Sequence, residues 1–318
     1  METRKLLAGV ELGGTKCVCV LGTGPTDIRA QERLATHDPA LTLPEIEAVL
    51  GRWIDAHGPF EALGLASFGP LDLGRHSPTY GHITATTKPG WSNTPVAGRF
   101  AERFGVPVGF DTDVNGAALG EGQWGAAQGL DNFAYVTVGT GVGVGLIVDG
   151  KPIFGCSHAE MGHIRIVRLP GDTWPGYCNF HGDCVEGLAC GPAIQARVGA
   201  SADTLPDDHP VWNTVVHALA QLLHTMVVTT APERIIIGGG VIASREAILR
   251  RVRADLVKSL NGYVKADQLR DDAAAYVVPP ALGASSGSLG ALVLAQRALE
   301  EAELHGGKRY HLAGVTGE

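Results

Sequence analysis

Apolar residues along this chain alternate between strand spacing and helix spacing. Residues 6–22, LLAGVELGGTKCVCVLG, read as two apolar strands joined by a glycine turn. Residues 44–57 carry apolar positions at helical spacing, and EALGLAS (61–67) reads as a strand ending in the turn Phe68-Gly69-Pro70. A polar, irregular stretch fills 71–95 and closes in TATTKPGWSNTP. Beyond it the pattern predicts a helix at 96–104, a short buried strand at 106–111 (VPVGFD) and a helix over Val114–Ala127 that opens directly after that strand. Residues 133–149, FAYVTVGTGVGVGLIVD, form a second hairpin with glycines at its bend. From 150 to 184 the periodicity breaks into loops. Helices follow at 191–197 and 211–230, then the strand Arg234–Ile237, a helix near 243–259, the strand Tyr276–Val278 and a Gly/Ala-rich helix over 285–304. The tail after 305 is expected to be poorly ordered.

A hairpin followed by helices thus occurs twice, from residue 6 and from residue 133, without detectable sequence repetition. The arrangement predicts two related α/β domains, 1–113 and 114–318, with a helix at about 290–304 packing back on the first. A ligand cleft is expected between them, with the two glycine turns facing one another. Composition agrees: charged residues make up 18% of the chain against the usual roughly 25%, and there are 44 glycines, as in an enzyme with many close backbone turns. The net charge of −8 and the lack of a long basic run exclude the electrostatic footprint of a nucleic-acid binder. An anionic nucleotide would then have to be met by local groups such as backbone N–H nests or a metal ion. The N-terminus lacks the apolar stretch of a signal peptide, and no run of about 18 apolar residues offers a membrane span. A cytoplasmic location is expected. The cysteines agree: Cys17 and Cys19 sit in a strand pattern, Cys156 and Cys190 are isolated, and Cys178 and Cys184 flank a histidine, which is no disulfide framework.

Five motifs carry chemistry. In Glu11-Leu-Gly-Gly-Thr-Lys16, Gly13 and Gly14 allow an anion close to the backbone, Thr15 offers a hydroxyl and Lys16 a point charge. A P-loop would need different spacing and a following helix; read alone, the motif is also a plain hairpin turn. Gly139-Thr140-Gly141 occupies the equivalent bend of the second hairpin, and the strand after it argues against a dinucleotide fingerprint. Gly238-Gly239-Gly240 separates a strand from a helix and makes room for an adenine or ribose, or simply for a tight turn. Asp113, in DTDVN (111–115), is either a helix N-cap or a carboxylate placed to take a proton from a sugar hydroxyl. The most specific signal is Cys178-Asn-Phe-His181-Gly-Asp-Cys184. With His163 it offers two thiolates and two imidazoles for a closed zinc shell. His158 is the alternative fourth ligand. Glu160 and Glu186 lie next to these ligands in sequence and are candidates for sugar hydroxyls.

Together these residues resemble the ROK family of bacterial sugar kinases, most closely its zinc-containing fructokinase branch. The resemblance runs from GVELGGTK at residue 9 to the glycine-rich helix near 295. It is carried by SFGPLDL (67–73), ITATTKPGW (83–91), DTDVNGAALGEGQWGA (111–126), TVGTGVGVGLIVDGK (137–151), HAEMGHI (158–164) and CNFHGDCVEGLACGPA (178–193). It implies a two-domain actin-like, ribonuclease H-like α/β fold with an inter-domain cleft, and ATP-dependent phosphorylation of a hexose, fructose foremost, at O6. It further implies a base at Asp113 that also meets the sugar, sugar contacts by Glu160, His163 and Glu186, and phosphate contacts at 13–16 and 139–141. Adenosine would sit near 238–240, with Mg2+ on the nucleotide, a structural zinc held by His163, Cys178, His181 and Cys184, and a homodimer. Glu11 stands where the wider family usually has aspartate. Thr112 stands where glucokinase-like members carry asparagine, which disfavours glucose over fructose. His181 replaces a thiolate of the usual knuckle. Kinases for glucose, mannose or an amino sugar remain alternatives. The sugar-sensing repressors of the family need a DNA-binding domain for which the eight residues before Gly9 leave no room.

Overall fold

A computed structural model describes residues 5–264 and 266–305; the tail expected to be poorly ordered lies outside them. Its strands are β1 (Leu7–Leu12), β2 (Lys16–Gly24), β3 (Asp27–Ala35), β4 (Ala62–Ser67), β5 (His82–Ile83), β6 (Thr94–Pro95) and β7 (Val108–Thr112). They continue as β8 (Phe133–Val138), β9 (Val142–Val148), β10 (Lys151–Pro152), β11 (Arg234–Gly238) and β12 (Val277–Val278). The α-helices are α1 (Pro39–His57), α2 (Ala97–Phe104), α3 (Asp113–Trp124), α4 (Val185–Ala189) and α5 (Gly191–Val198). After them come α6 (Val211–Thr230), α7 (Glu246–Leu260), α8 (Ala266–Tyr276) and α9 (Ser286–Leu304).

The chain divides into two compact units. The first comprises the segments up to Gly125, Ile153–His158 and from Ser285 onward; the second comprises Ala126–Pro152 and Ala159–Ala284. The boundary expected at residue 113 therefore falls after Gly125. The physical reason is the intimacy of α3 with α9: a Cβ on Gly290 would lie 1.8 Å from the Gly116 carbonyl oxygen, so the two backbones touch.

Each unit is built on a five-stranded sheet, and the two sheets share one design. In the first the order is β3-β2-β1-β4-β7, in the second β10-β9-β8-β11-β12. The hairpin partners pair antiparallel, and the crossover strands β4 and β7, like β11 and β12, add parallel to them. The duplication read from the two hairpins is thus one of topology. Edge strand β3 escaped the sequence pattern because its solvent-facing positions, among them Arg29, Gln31 and Arg33, dilute the apolar alternation.

In the first unit, Gly9, Gly64 and Gly109 lie side by side in register on β1, β4 and β7. Along this row α9 rests directly on the sheet backbone: a Cβ on Gly64 would come 1.8 Å from the Ala291 oxygen, and one on Gly109 2.3 Å from that of Leu294. In the second unit the core helix is α6. By length and composition alone it is apolar enough to cross a membrane, which the sequence pattern had not suggested. Its Trp212, Val215, Leu219, Leu222 and Met226 are fully buried in the core of that unit.

Gly64→Ala should therefore push α9 off the sheet and lower stability by about 2–3 kcal/mol, measured by urea unfolding. Gly51→Ala, in α1 with open space around it, should be neutral or stabilising by about 0.5–1 kcal/mol.

Candidate functional site

The first glycine turn joins β1 to β2. The Gly13 N–H donates to the Lys16 carbonyl at 3.0 Å, and a Cβ on Gly13 would sit 2.8 Å from that oxygen, so a side chain would open the turn. Gly14, Thr15 and Lys16 are exposed. Glu11, which opens the motif, is directed to the first turn of α9, where a Cβ on Gly287 would come 2.4 Å from its Cδ. Burial raises its pKa; the charges of Lys16 and Arg33 and a hydrogen bond from the Ser288 backbone work against that rise. A carboxylate belongs electrostatically at such a helix N-terminus.

Asp113 is the first residue of α3, directly after β7. The capping role considered for it falls to Thr112, whose hydroxyl accepts from the Asn115 N–H at 3.1 Å. Asp111 braces the same junction, accepting from Asn115 Nδ2 and the Thr112 N–H, each at 2.7 Å. Burial raises the Asp111 pKa, against those hydrogen bonds and the charge of Arg297. The arrangement leaves the Asp113 carboxylate half-buried at a strand end, accepting from the Val114 N–H at 2.9 Å.

In the second unit, four side chains that are distant in sequence converge. The ligand atoms of His163, Cys178, His181 and Cys184 all lie within 4.8 Å of one another. His163 Nδ1 is 3.3 Å from His181 Nδ1 and 3.6 and 3.7 Å from the Sγ atoms of Cys178 and Cys184. A tetrahedral zinc shell with ordinary bond lengths has N···N edges of about 3.3 Å and N···S edges of about 3.6 Å, so the donor set fits such an ion. His158 is not part of it: it lies in the first unit, where its Nε2 accepts from the Leu71 N–H at 3.0 Å. The knuckle closes on itself through reciprocal bonds between the backbones of Cys178 and Gly182.

With Nδ1 turned to the cluster, His163 presents Nε2 to Glu160 and Glu186, 4.0 Å from a carboxylate oxygen of each. The Glu160 pKa is pushed up to about 7, first by desolvation of the carboxyl group and then by the like charge of Glu186. Glu186 also reaches the second hairpin bend, accepting from the Val142 N–H at 3.1 Å. A Cβ on Gly141 would lie 2.6 Å from Glu186 Oε2. Beside that bend the Gly139 carbonyl accepts from the Gly191 N–H at 2.8 Å, and Val241 N–H donates to Val138 at 2.9 Å. Gly239 has φ +93°, and a Cβ there would strike the Val138 oxygen at 2.4 Å. The 139–141 bend and the 238–240 turn therefore form one backbone-lined patch next to Glu186. The turn at 13–16 and Asp113 belong to the first unit.

One group of residues had no signal in the sequence. Asp172 is bidentate to Arg197 at 3.0 Å and pairs with Arg168 at 3.0 Å, and Arg168 also grips Asp183 of the knuckle at 2.9 Å. These ion pairs brace the irregular 164–184 segment against α5 and α6, where Thr214 donates to Asp172 at 3.3 Å. Burial would raise the Asp172 pKa. The Arg197 hydrogen bond, the Trp174 amide and the two arginine charges outweigh it and hold the pKa down to about 2.

The family model described as the ROK family matches residues 7–298. The chain is similar to a fructokinase of Pediococcus pentosaceus, 39% identical over 297 residues covering 93% of this chain and 100% of that protein. It is similar also to a fructokinase of Zymomonas mobilis, 40% identical over 299 residues covering 92% and 97% of the two chains. Among solved structures, a ROK family glucokinase from Streptomyces griseus in complex with glucose and AMPPNP matches with a TM-score of 0.71 at 25% identity. That match covers 92% of this chain and 99% of the other.

A depressed carboxylate pKa adds stability that is present above the group's ordinary value and lost as pH falls through the folded one. The Asp172 contribution, about 2 kcal/mol, should therefore disappear between pH 3.8 and about 2. Unfolding curves of the chain and of Asp172→Asn should differ most above this window and converge within it.

Proposed function

The chain belongs to the ROK family, and from that premise we propose that it is an ATP-dependent fructokinase, converting D-fructose to fructose 6-phosphate. The observation that carries this reading is its 39% and 40% identity to two fructokinases along more than nine-tenths of its length. In the reaction, O6 of the sugar attacks the terminal phosphorus, the bond from that phosphorus to its bridging oxygen breaks, and ADP leaves with the electron pair. Asp113 takes the O6 proton as the phosphoryl group arrives. Lys16, the Thr15 hydroxyl and the backbone N–H groups of Gly14, Thr15 and Gly141 meet the phosphate oxygens, and the 238–240 turn gives room to adenosine. Magnesium entering with the nucleotide supplies counter-charge to the phosphates.

Glu160, Glu186 and His163 Nε2 form a polar group suited to the hydroxyls of a hexose. The metal we assign to the adjoining cluster is Zn2+, with His163 Nδ1, His181 Nδ1, Cys178 Sγ and Cys184 Sγ as ligands. Four protein ligands close the shell, so the ion's part is to fix the loop and the His163 ring. The enzyme would work in the cytoplasm, where ATP is supplied, as a homodimer.

Asp113→Ala should lower kcat by at least about 100-fold while fructose affinity, read by calorimetry, stays within about twofold. Unchanged turnover would end the assignment of the base. Cys184→Ser should lose bound zinc in elemental analysis, where the parent chain carries one ion, and should raise KM for fructose.

A further inference from the structure

The segment ITATTKPGW reaches the turn at 13–16 through Lys88. Trp91 is fully buried, and its Nε1 donates to the His37 carbonyl at 2.8 Å, which fastens the segment to the strand-to-helix corner after β3. Just before it, the Trp91 N–H donates to the Lys88 carbonyl at 3.3 Å. Pro89 stands second in this turn and Gly90 third, with φ +81°, as a type II turn requires. A Cβ on Gly90 would also meet Asp38 Oδ2 at 2.4 Å, so the turn can only sit here with glycine. Its product is the position of Lys88. The ammonium group donates to the Gly14 carbonyl and lies 3.5 Å from the Thr36 carbonyl.

Thr36 works on the same turn from the end of β3. Its hydroxyl donates to the Gly13 carbonyl at 2.7 Å, and its N–H donates to the Thr15 carbonyl at 3.0 Å. Three successive carbonyls, those of Gly13, Gly14 and Thr15, are thus all held by two residues. In a trans peptide the C=O and the following N–H point in opposite directions. Holding the carbonyls of Gly13 and Gly14 turns the N–H groups of Gly14 and Thr15 away from Thr36 and Lys88. Among the described residues neither amide has a protein acceptor, and nothing lies within 4 Å of a Cβ built on Gly14. The result is a pair of oriented, unpaired donors of the kind that receives an anion.

We propose that Lys88 and Thr36 are positioning residues of the nucleotide-phosphate turn, holding its carbonyls back so that the amides of Gly14 and Thr15 are pre-aimed at phosphate oxygens. ITATTKPGW then acts on ATP and not on fructose. The inference rests on the assignment of 13–16 to the phosphates, and binding and turnover are measured separately for that reason. In calorimetry with ADP, Lys88→Met and Thr36→Val should each weaken nucleotide affinity about tenfold or more. Lys88→Arg, which can still donate to both carbonyls, should recover most of it. In fructose-supported ADP release the same variants should raise KM for ATP and leave KM for fructose within about twofold. Unchanged ADP affinity in both Lys88→Met and Thr36→Val would overturn the proposal, as would a rise confined to KM for fructose. A thermal midpoint lowered equally in Lys88→Met and Lys88→Arg, with equal loss of affinity, would reduce Lys88 to a fold residue and overturn it too. Were the parent chain to bind ADP normally but release none from ATP with fructose, the fructokinase reading would fail while the calorimetric comparison still judged the turn.

Discussion

The convergence of two imidazoles and two thiols in the second unit is the constraint on which the placement of Glu160, His163 and Glu186, the residues proposed for the sugar, depends. Between β10 and α4 the chain has no extended strand or α-helix to hold it, only a short 3-10 turn at Met161–His163 and isolated bridges. Regular hydrogen bonding cannot position Glu160 and His163 there. What can is a shared centre whose edges match a tetrahedral cation, reinforced by the Arg168–Asp172–Arg197 ion pairs behind it. Because His163 spends Nδ1 on that centre, its Nε2 and the two glutamates are fixed relative to one another. A loop that would otherwise wander becomes a defined polar surface.

The turns proposed for the phosphates rest on a different device, backbone approach through glycine. In the first unit the Gly9–Gly64–Gly109 row lets α9 lie on the sheet, and α9 in turn receives Glu11 and packs on α3, the helix that begins with Asp113. The turn at 13–16 lies at the end of β1 and β2, inside this sheet. In the second unit Gly239 performs the matching task for Val138, bringing the 238–240 turn onto the hairpin bend. The two units share a sheet topology, and each presents a hairpin turn in which two amides, those of Gly14 and Thr15 in one and of Thr140 and Gly141 in the other, have no protein acceptor among the described residues. Neither needs a basic surface, in keeping with a net charge of −8.

Much of this was legible in the sequence, and the exceptions have physical causes. The two hairpins, the long helices and the knuckle could be read because each has a strong local pattern: alternation, helical spacing, or ligand types at fixed intervals. Strand β3 was not, since an edge strand with charged outward positions does not look apolar. The boundary after Gly125 was hidden because it depends on contact between α3 and α9, more than 160 residues apart. The choice of His163 over His158 needed the Leu71 hydrogen bond, and the choice of Thr112 over Asp113 as cap needed the direction of a hydroxyl. The bidentate Asp172–Arg197 pair and the Lys88–Gly14 contact join residues 25 and 74 positions apart, and no spacing rule reaches them. Thr112 is buried, and its hydroxyl is committed to the fold as the cap of α3.

The central claim is a kinase that prefers fructose. Its most direct test is coupled ADP release by the full chain across fructose, mannose, glucose, N-acetylmannosamine and N-acetylglucosamine. Discrimination among sugars arises from which hydroxyls the buried polar groups can satisfy, so the account predicts a kcat/KM for fructose at least about tenfold above that of each other sugar. A kcat/KM for glucose tenfold above that for fructose would contradict the substrate and keep the kinase, and ADP release with none of the five would contradict both.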